Sequence, residues 1–99
     1  MLTFFNCKKD HPVILYQEAT LSYQGDYSYD GCGYFFTINN HQYKADNESI
    51  IDNSFQNMGI KTQVLIQYKV LSSPIGYTCG LNPDLQKIDG IHLLSIKKK

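Results

Sequence analysis

The chain has 99 residues but no arginine, no tryptophan and no net charge, and it carries only three cysteines and three prolines. Arginine supplies the bidentate contacts to phosphate and guanine that sequence-reading proteins rely on, so its absence weighs against a dedicated nucleic-acid binder. Nine lysines balance nine acids, and the one lysine run, Lys97 to Lys99, is a short tail that reads as a solvated terminus. No apolar run approaches the roughly 20 residues of a membrane-spanning helix. No Cys-x-x-Cys spacing occurs and His11, His41 and His92 are scattered, so neither a metal site nor a catalytic dithiol has a ligand set in the sequence, and no cofactor is expected. Linkers, repeats and low-complexity stretches are missing too. The length fits one domain, at a size where the core is modest.

What the chain does have is tyrosine, eight in all beside five phenylalanines. Tyrosine-rich, β-branched segments suit half-buried pleated sheets. Leu15 to Tyr23 alternates, with Leu15, Ala19, Leu21 and Tyr23 on one face and Tyr16, Glu18, Thr20 and Ser22 on the other. Gln24 to Gly33 holds three glycines and two aspartates and reads as a long loop. Tyr34 to Ile38 is a dense strand, Asn39-Asn40 a two-residue turn, and His41 to Ala45 its antiparallel return. Asp46 and Asn47 suit the cap of a short helix carrying Ile50, Ile51 and Phe55 on one face and ending at Gly59. Lys61 to Leu71 alternates again, with Val64, Ile66, Tyr68 and Val70 pointing one way. Ser72 to Lys87 reads as a second long loop, and Ile88 to Ile96 as a closing strand with apolar residues on both faces.

The order strand, strand, strand, helix, strand, strand is that of a five-stranded OB-like Greek-key barrel with one short helix between strands 3 and 4. An SH3-like barrel, or an open meander capped by the helix, is the competing arrangement. Cys32 lies in the first long loop and Cys79 in the second, each followed by glycine. In an OB barrel those two loops are neighbours, so a Cys32–Cys79 disulfide is expected, and with it an oxidising compartment. The N-terminus adds to that expectation. Met1 to Asn6 is largely apolar, Cys7 follows, and Lys8-Lys9-Asp10 is abruptly charged. That order reads as the tail of a secretory leader before a lipidation cysteine. Residues 1–12 are thus expected to be a signal remnant, with Cys7 the lipidation candidate, and 13–99 the barrel domain.

Gly31-Cys32-Gly33-Tyr34, the hairpin Ile38 to Lys44, the short helical stretch ending in Phe55 to Gly59, the strand Val64 to Tyr68, Tyr77-Thr78-Cys79-Gly80 and the closing Ile91 to Ile96 form a pattern. The pattern resembles small uncharacterised lipoproteins of Bacteroidetes, which begin with a lipobox and a lysine-rich segment and carry paired Cys-Gly motifs. The resemblance implies export and a periplasmic or outer-membrane address. It implies no catalytic residue.

The remaining constellations are ordinary. The histidines have no spacing that makes a nucleophile-base pair. Asp26 and Asp30 in the first loop and Asp84 and Asp89 near the second could gather for calcium, but no EF-hand spacing exists and solvated loop acids are the expectation. Asn47-Glu48-Ser49 matches a glycosylation sequon by chance composition. The aromatic edge is the exception. Tyr23, Tyr27, Tyr29 and Tyr34 flank the first long loop and Tyr77 lies in the second, an arrangement that OB barrels use as ligand platforms. The expected function is a non-enzymatic, exported binding module for a protein, peptide or glycan. The alternative is an envelope accessory subunit that oligomerises or meets a partner through His92, Leu94 and Ile96 of the last strand.

Overall fold

In the computed structural model, residues 13–27, 31–79 and 82–99 are described. Seven strands form, rather than five: β1 (Ile14–Tyr23), β2 (Tyr34–Ile38), β3 (His41–Ala45), β4 (Lys61–Val70), β5 (Ile75–Cys79), β6 (Asn82–Ile88) and β7 (Gly90–Lys98). Five of them close a barrel in the order β1-β2-β3-β7-β4, and β5 with β6 makes a separate two-stranded sheet. β1 carries the closure. It pairs antiparallel with β2 through Thr20 to Tyr23 and with β4 through Ile14 to Ser22. β3 meets β7 in parallel, at Lys44 opposite Gly90 and Ala45 opposite Ile91.

Period-two alternation fills the barrel as the sequence suggests. Ala19 and Leu21 of β1, Phe36 and Ile38 of β2, Val64, Ile66 and Tyr68 of β4, and Ile91 and Leu93 of β7 are all buried. Asn39 and Asn40 both take positive φ, at 51° and 67°, which gives the β2–β3 turn the twist a two-residue hairpin needs. Val70, expected on the inward face, is instead 45% exposed at the end of β4.

Two elements differ from expectation. The expected short helix between the third and fourth strands is a pair of single 3-10 turns, Glu48–Ile50 and Asn53–Phe55. Asn, Ser and Asp crowd this stretch, and their side chains compete for the backbone. Asp52 accepts from the Ser54 amide at 2.8 Å and starts a second turn, while Ile51 is extended at φ −84° and ψ 118°. The bonds from Ser54 hold the Asp52 carboxyl below its usual range. Ile51 and Phe55 are still buried against the barrel, and Ile50, expected on the same face, points outward. Nor is the second long loop a loop. Ile75, Tyr77 and Cys79 alternate along β5, and a hairpin forms despite the Pro and Gly content. Pro83 sits in β6, a strand paired on one side only, where a missing N–H is tolerated.

The last strand resolves its own puzzle. The register with β4 shifts between Gln67, opposite Ser95, and Tyr68, opposite Leu93, so Leu94 is the extra residue of a β-bulge. Apolar residues occur on both faces of the sequence because the phase changes partway. Ile91 and Leu93 point inward before the bulge, and Ile96 packs against the core after it. His92, Leu94 and Ile96 therefore do not share an exposed face, which corrects the proposed contact row. Leu94 alone of the three is an exposed large apolar side chain.

Candidate functional site

The β1–β2 connection is a tight ribbon rather than an open loop. Gln24 donates its amide to Gly33 O at 2.7 Å, Cys32 to Gln24 O at 3.1 Å, and Gly33 to Gly25 O at 2.9 Å. Gly33 has φ +73°, and a Cβ there would fall 2.4 Å from the Tyr27 hydroxyl oxygen. Only glycine lets the Tyr27 ring lie on this backbone. A disulfide joins Cys32 to Cys79, with Cα atoms 4.6 Å apart, and so fastens the ribbon to the β5–β6 hairpin.

Beneath this junction is a charged residue that the sequence pattern gave no reason to single out. Lys44 of β3 is 2% exposed, and it is the buried charged residue among those described. Its Nζ donates to Cys32 O at 2.8 Å, Tyr34 O at 2.9 Å and Glu48 Oε2 at 2.9 Å, which uses all three of its protons. Three rings surround it: Phe35 at 4.5 Å from Nζ to centroid, Tyr27 at 5.3 Å and Tyr77 at 5.4 Å. Burial pulls the Lys44 pKa below the ordinary lysine value, and Glu48 opposes the shift. Glu48 Oε2 also accepts from the Tyr27 hydroxyl at 3.3 Å and from the Tyr34 amide at 3.4 Å. One ion pair thus ties β3, the ribbon, the first 3-10 turn and the hairpin together. The only sequence signal for it is the spacing of Lys44 and Glu48, four residues apart across the Asp46-Asn47 turn.

Tyr23, Tyr27 and Tyr34 line one cleft, Tyr27 and Tyr77 a second that shares a wall with it, and Tyr77 also lines a third beside His41 and Asp89. The first, of about 250 Å³, also has Asp26, Glu48 and Gln56 in its lining. Tyr23 and Tyr34 are tilted at 45° with centroids 5.0 Å apart, and the Tyr34 hydroxyl accepts from Gln56 Nε2 at 3.2 Å. The second, of about 420 Å³, is lined by Tyr27 and Tyr77 together with Lys44, Asp46 and Glu48. Tyr77 meets Phe35 edge-on at 5.8 Å. Tyr27 belongs to the first and the second cleft and is 48% exposed. Its phenol is held above its usual range, first by burial, then by the Glu48 charge and hydrogen bond, then by Tyr77. Tyr29, Asp30, His11 and Cys7 lie outside the described residues.

The other candidates are engaged elsewhere. His41 Nε2 lies 2.7 Å from Asp89 Oδ2, and His92 Nδ1 lies 2.8 Å from Asp46 Oδ1. Among the described residues no group of three or more His, Cys, Asp or Glu side chains gathers as a metal site. Asn47 is committed to structure: its amide donates to Leu93 O at 2.8 Å and accepts from Leu93 N at 2.9 Å. Coming just after Ala45 opposite Ile91, that pair extends the β3–β7 ladder by one side chain. No protein-family model, no curated protein and no solved structure matches this chain.

Proposed function

We propose that the chain is an exported, non-enzymatic binding module, an OB-like Greek-key barrel that contacts a glycan or peptide segment through its tyrosine-walled clefts. The OB-like reading is supported by strand order. β1 bridges β2 and β4, β3 and β7 close in parallel, and the segment between β3 and β4 covers the barrel with Ile51 and Phe55. In such barrels the connection after the first strand and the one before the last form the ligand edge. Those are the segments that Cys32–Cys79 fastens together. The disulfide also favours an oxidising compartment, with Cys7 as the anchor of a membrane-tethered form.

One observation carries the reading. Tyr27 is half-exposed, yet its position is fixed by Gly33, Glu48 and the neighbouring Lys44. An aromatic plate held in place while open to solvent suits a ligand rather than a core. Glycan- and peptide-array binding by the disulfide-intact protein is the test. Binding that disappears in the Tyr27→Ala/Tyr29→Ala double variant supports the module. Unchanged binding by that variant, or arrays without hits, removes it.

The accessory-subunit reading keeps one observation in its favour. Ile14, Tyr16 and Leu94, on β1 and β7, are exposed large apolar side chains, as is Val70 at the end of β4. A sedimentation mass above the monomer that returns to monomer in Leu94→Glu would support it, and a monomeric parent protein would end it.

A further inference from the structure

Resting on the binding-module reading and deepening it, we propose that the cleft of Tyr27 and Tyr77 takes an extended peptide segment, which adds a strand to the free edge of β5. Four successive residues of β5, Ile75, Gly76, Tyr77 and Thr78, line that cleft, and no described residue of β6 does. Successive side chains of a strand point to opposite faces. A cleft that meets four in a row therefore borders the edge of the strand and not one of its faces. That edge is the one away from β6, the strand with which β5 forms a two-stranded sheet among the described residues. An unpaired edge presents a row of backbone N–H and C=O groups, and what matches such a row is another extended backbone.

The two edges of the hairpin are not alike. β6 carries Pro83, which has no N–H to offer, and the exposed Lys87, and proline and lysine are the residues that guard an edge against pairing. β5 reads Ile-Gly-Tyr-Thr-Cys, with neither a proline nor a charge. Its alternate residues hold it to the barrel. Cys79 is crosslinked, Tyr77 meets Phe35 and Lys44, and Ile75 covers Gly90 so closely that a Cβ there would fall 2.6 Å from the Ile75 Cδ1. A strand fixed by three side chains loses little freedom when it accepts a partner. Gly76 and Thr78, between them, are exposed. The charges around the cleft are already engaged, Lys44 with Glu48 and Asp46 with His92. Recognition therefore falls to the backbone edge and to Tyr27, whose half-exposed ring gives one side chain of the peptide an aromatic face to pack against.

The test uses the full, disulfide-intact chain and alters the peptide rather than the protein, so the fold is not at issue. The probes are a capped Thr-Val-Tyr-Val-Thr peptide, a form N-methylated at every other residue, which blocks one edge of the peptide strand, and a form N-methylated throughout, which blocks both. They are titrated to millimolar concentration while the protein's amide and tyrosine resonances are followed by NMR. The parent peptide is expected to shift residues 75–78 and Tyr27. At about nine times its Kd it should slow exchange about tenfold at the β5 amides that point away from β6. The half-methylated form should bind within a few-fold of the parent, and the fully methylated form at least about tenfold more weakly, the scale of losing its backbone hydrogen bonds. Thr78→Lys, a guarding charge at an exposed position, should weaken the parent peptide several-fold. No shift at 75–78, equal affinity for the fully methylated form, or protection gained on β6 in place of β5 overturns the proposal. A glycan as the array ligand lost in Tyr27→Ala/Tyr29→Ala overturns it too and leaves the module reading intact, whereas arrays without hits end that reading itself.

Discussion

Lys44 is the residue on which the site turns, and its energetics are testable. A buried ammonium is costly to desolvate, and Lys44 offsets that cost with a carboxylate, two backbone carbonyls and three rings. Lys44→Met leaves Glu48 charged and two carbonyls without their donor. We expect a loss of about 3 kcal/mol, the scale for breaking a buried pair, read from urea midpoints. Adding Glu48→Leu should recover part of it, since removing both charges is far cheaper than removing one. A single variant as stable as the parent protein would mean the pair contributes nothing. Alkaline pH tests the neighbouring phenol. A group whose folded pKa is raised stabilises the fold below its unfolded pKa and loses that contribution as pH rises through the folded value. For Tyr27, raised by burial and Glu48, the loss begins near the ordinary phenol pKa of about 10. Lys44 works in the opposite sense, because its lowered pKa makes folding more favourable as pH climbs toward the ordinary lysine value. Tyr27→Phe should therefore lose less stability than the parent between about pH 10 and pH 12, with Lys44 common to both. Parallel pH profiles would contradict this account of Tyr27.

The elements show which parts of the fold a sequence can announce. β1, β2 and β4 were legible because their alternation is unbroken and one face is the more buried along most of each strand. The Asn39-Asn40 turn was legible because few residues accept its φ values. The β5–β6 hairpin was hidden by its own punctuation: Gly76, Cys79, Gly80 and Pro83 read as a loop, yet Gly76, Cys79 and Pro83 lie in strands that are paired on one side only. The helix was overread because Ile50, Ile51 and Phe55 match helical spacing, while local side-chain hydrogen bonds broke the turn at Asp52. The bulge at Leu94 left no mark that could be told from a strand buried on both faces. Of the candidate site, the Cys32–Cys79 crosslink was readable from type and position, but Lys44 was not, since a strand lysine ordinarily faces solvent. The ribbon between β1 and β2 makes its own prediction. Gly33→Ala forces a non-glycine residue into the left-handed region and drives its Cβ into Tyr27. Stability should fall by more than the roughly 1–2 kcal/mol of the backbone term alone, and the Tyr27 ring resonances should move with it. A drop limited to the backbone term, with Tyr27 undisturbed, would show that the ring does not rest on this glycine.

At the scale of the whole molecule, the barrel and the hairpin have different means of support. All the buried hydrophobic residues described come from β1 to β4, β7 and the segment between β3 and β4, and none from β5 or β6. The hairpin's strands pair only with each other. It is held to the barrel by the disulfide, by Tyr77 against Phe35 and by the ring contact with Lys44. The chain-entropy cost of losing the crosslink, whose ends are separated by 47 positions in sequence, is about 4 kcal/mol. A domain of this length has roughly 5–15 kcal/mol of stability, so the barrel should survive reduction while the hairpin loses its main tether. Hydrogen exchange on the reduced protein, or on Cys32→Ser/Cys79→Ser, distinguishes the outcomes. Amides of 75–79 and 82–88 should lose protection almost completely, and those of 64–68 and 91–93 should exchange faster only through the lowered global stability. On the proposed binding-module reading, a ligand held at the cleft of Tyr27 and Tyr77 should be lost together with the hairpin's protection. Complete unfolding on reduction would make the crosslink a requirement of the core and remove the argument that it serves to position the ligand edge.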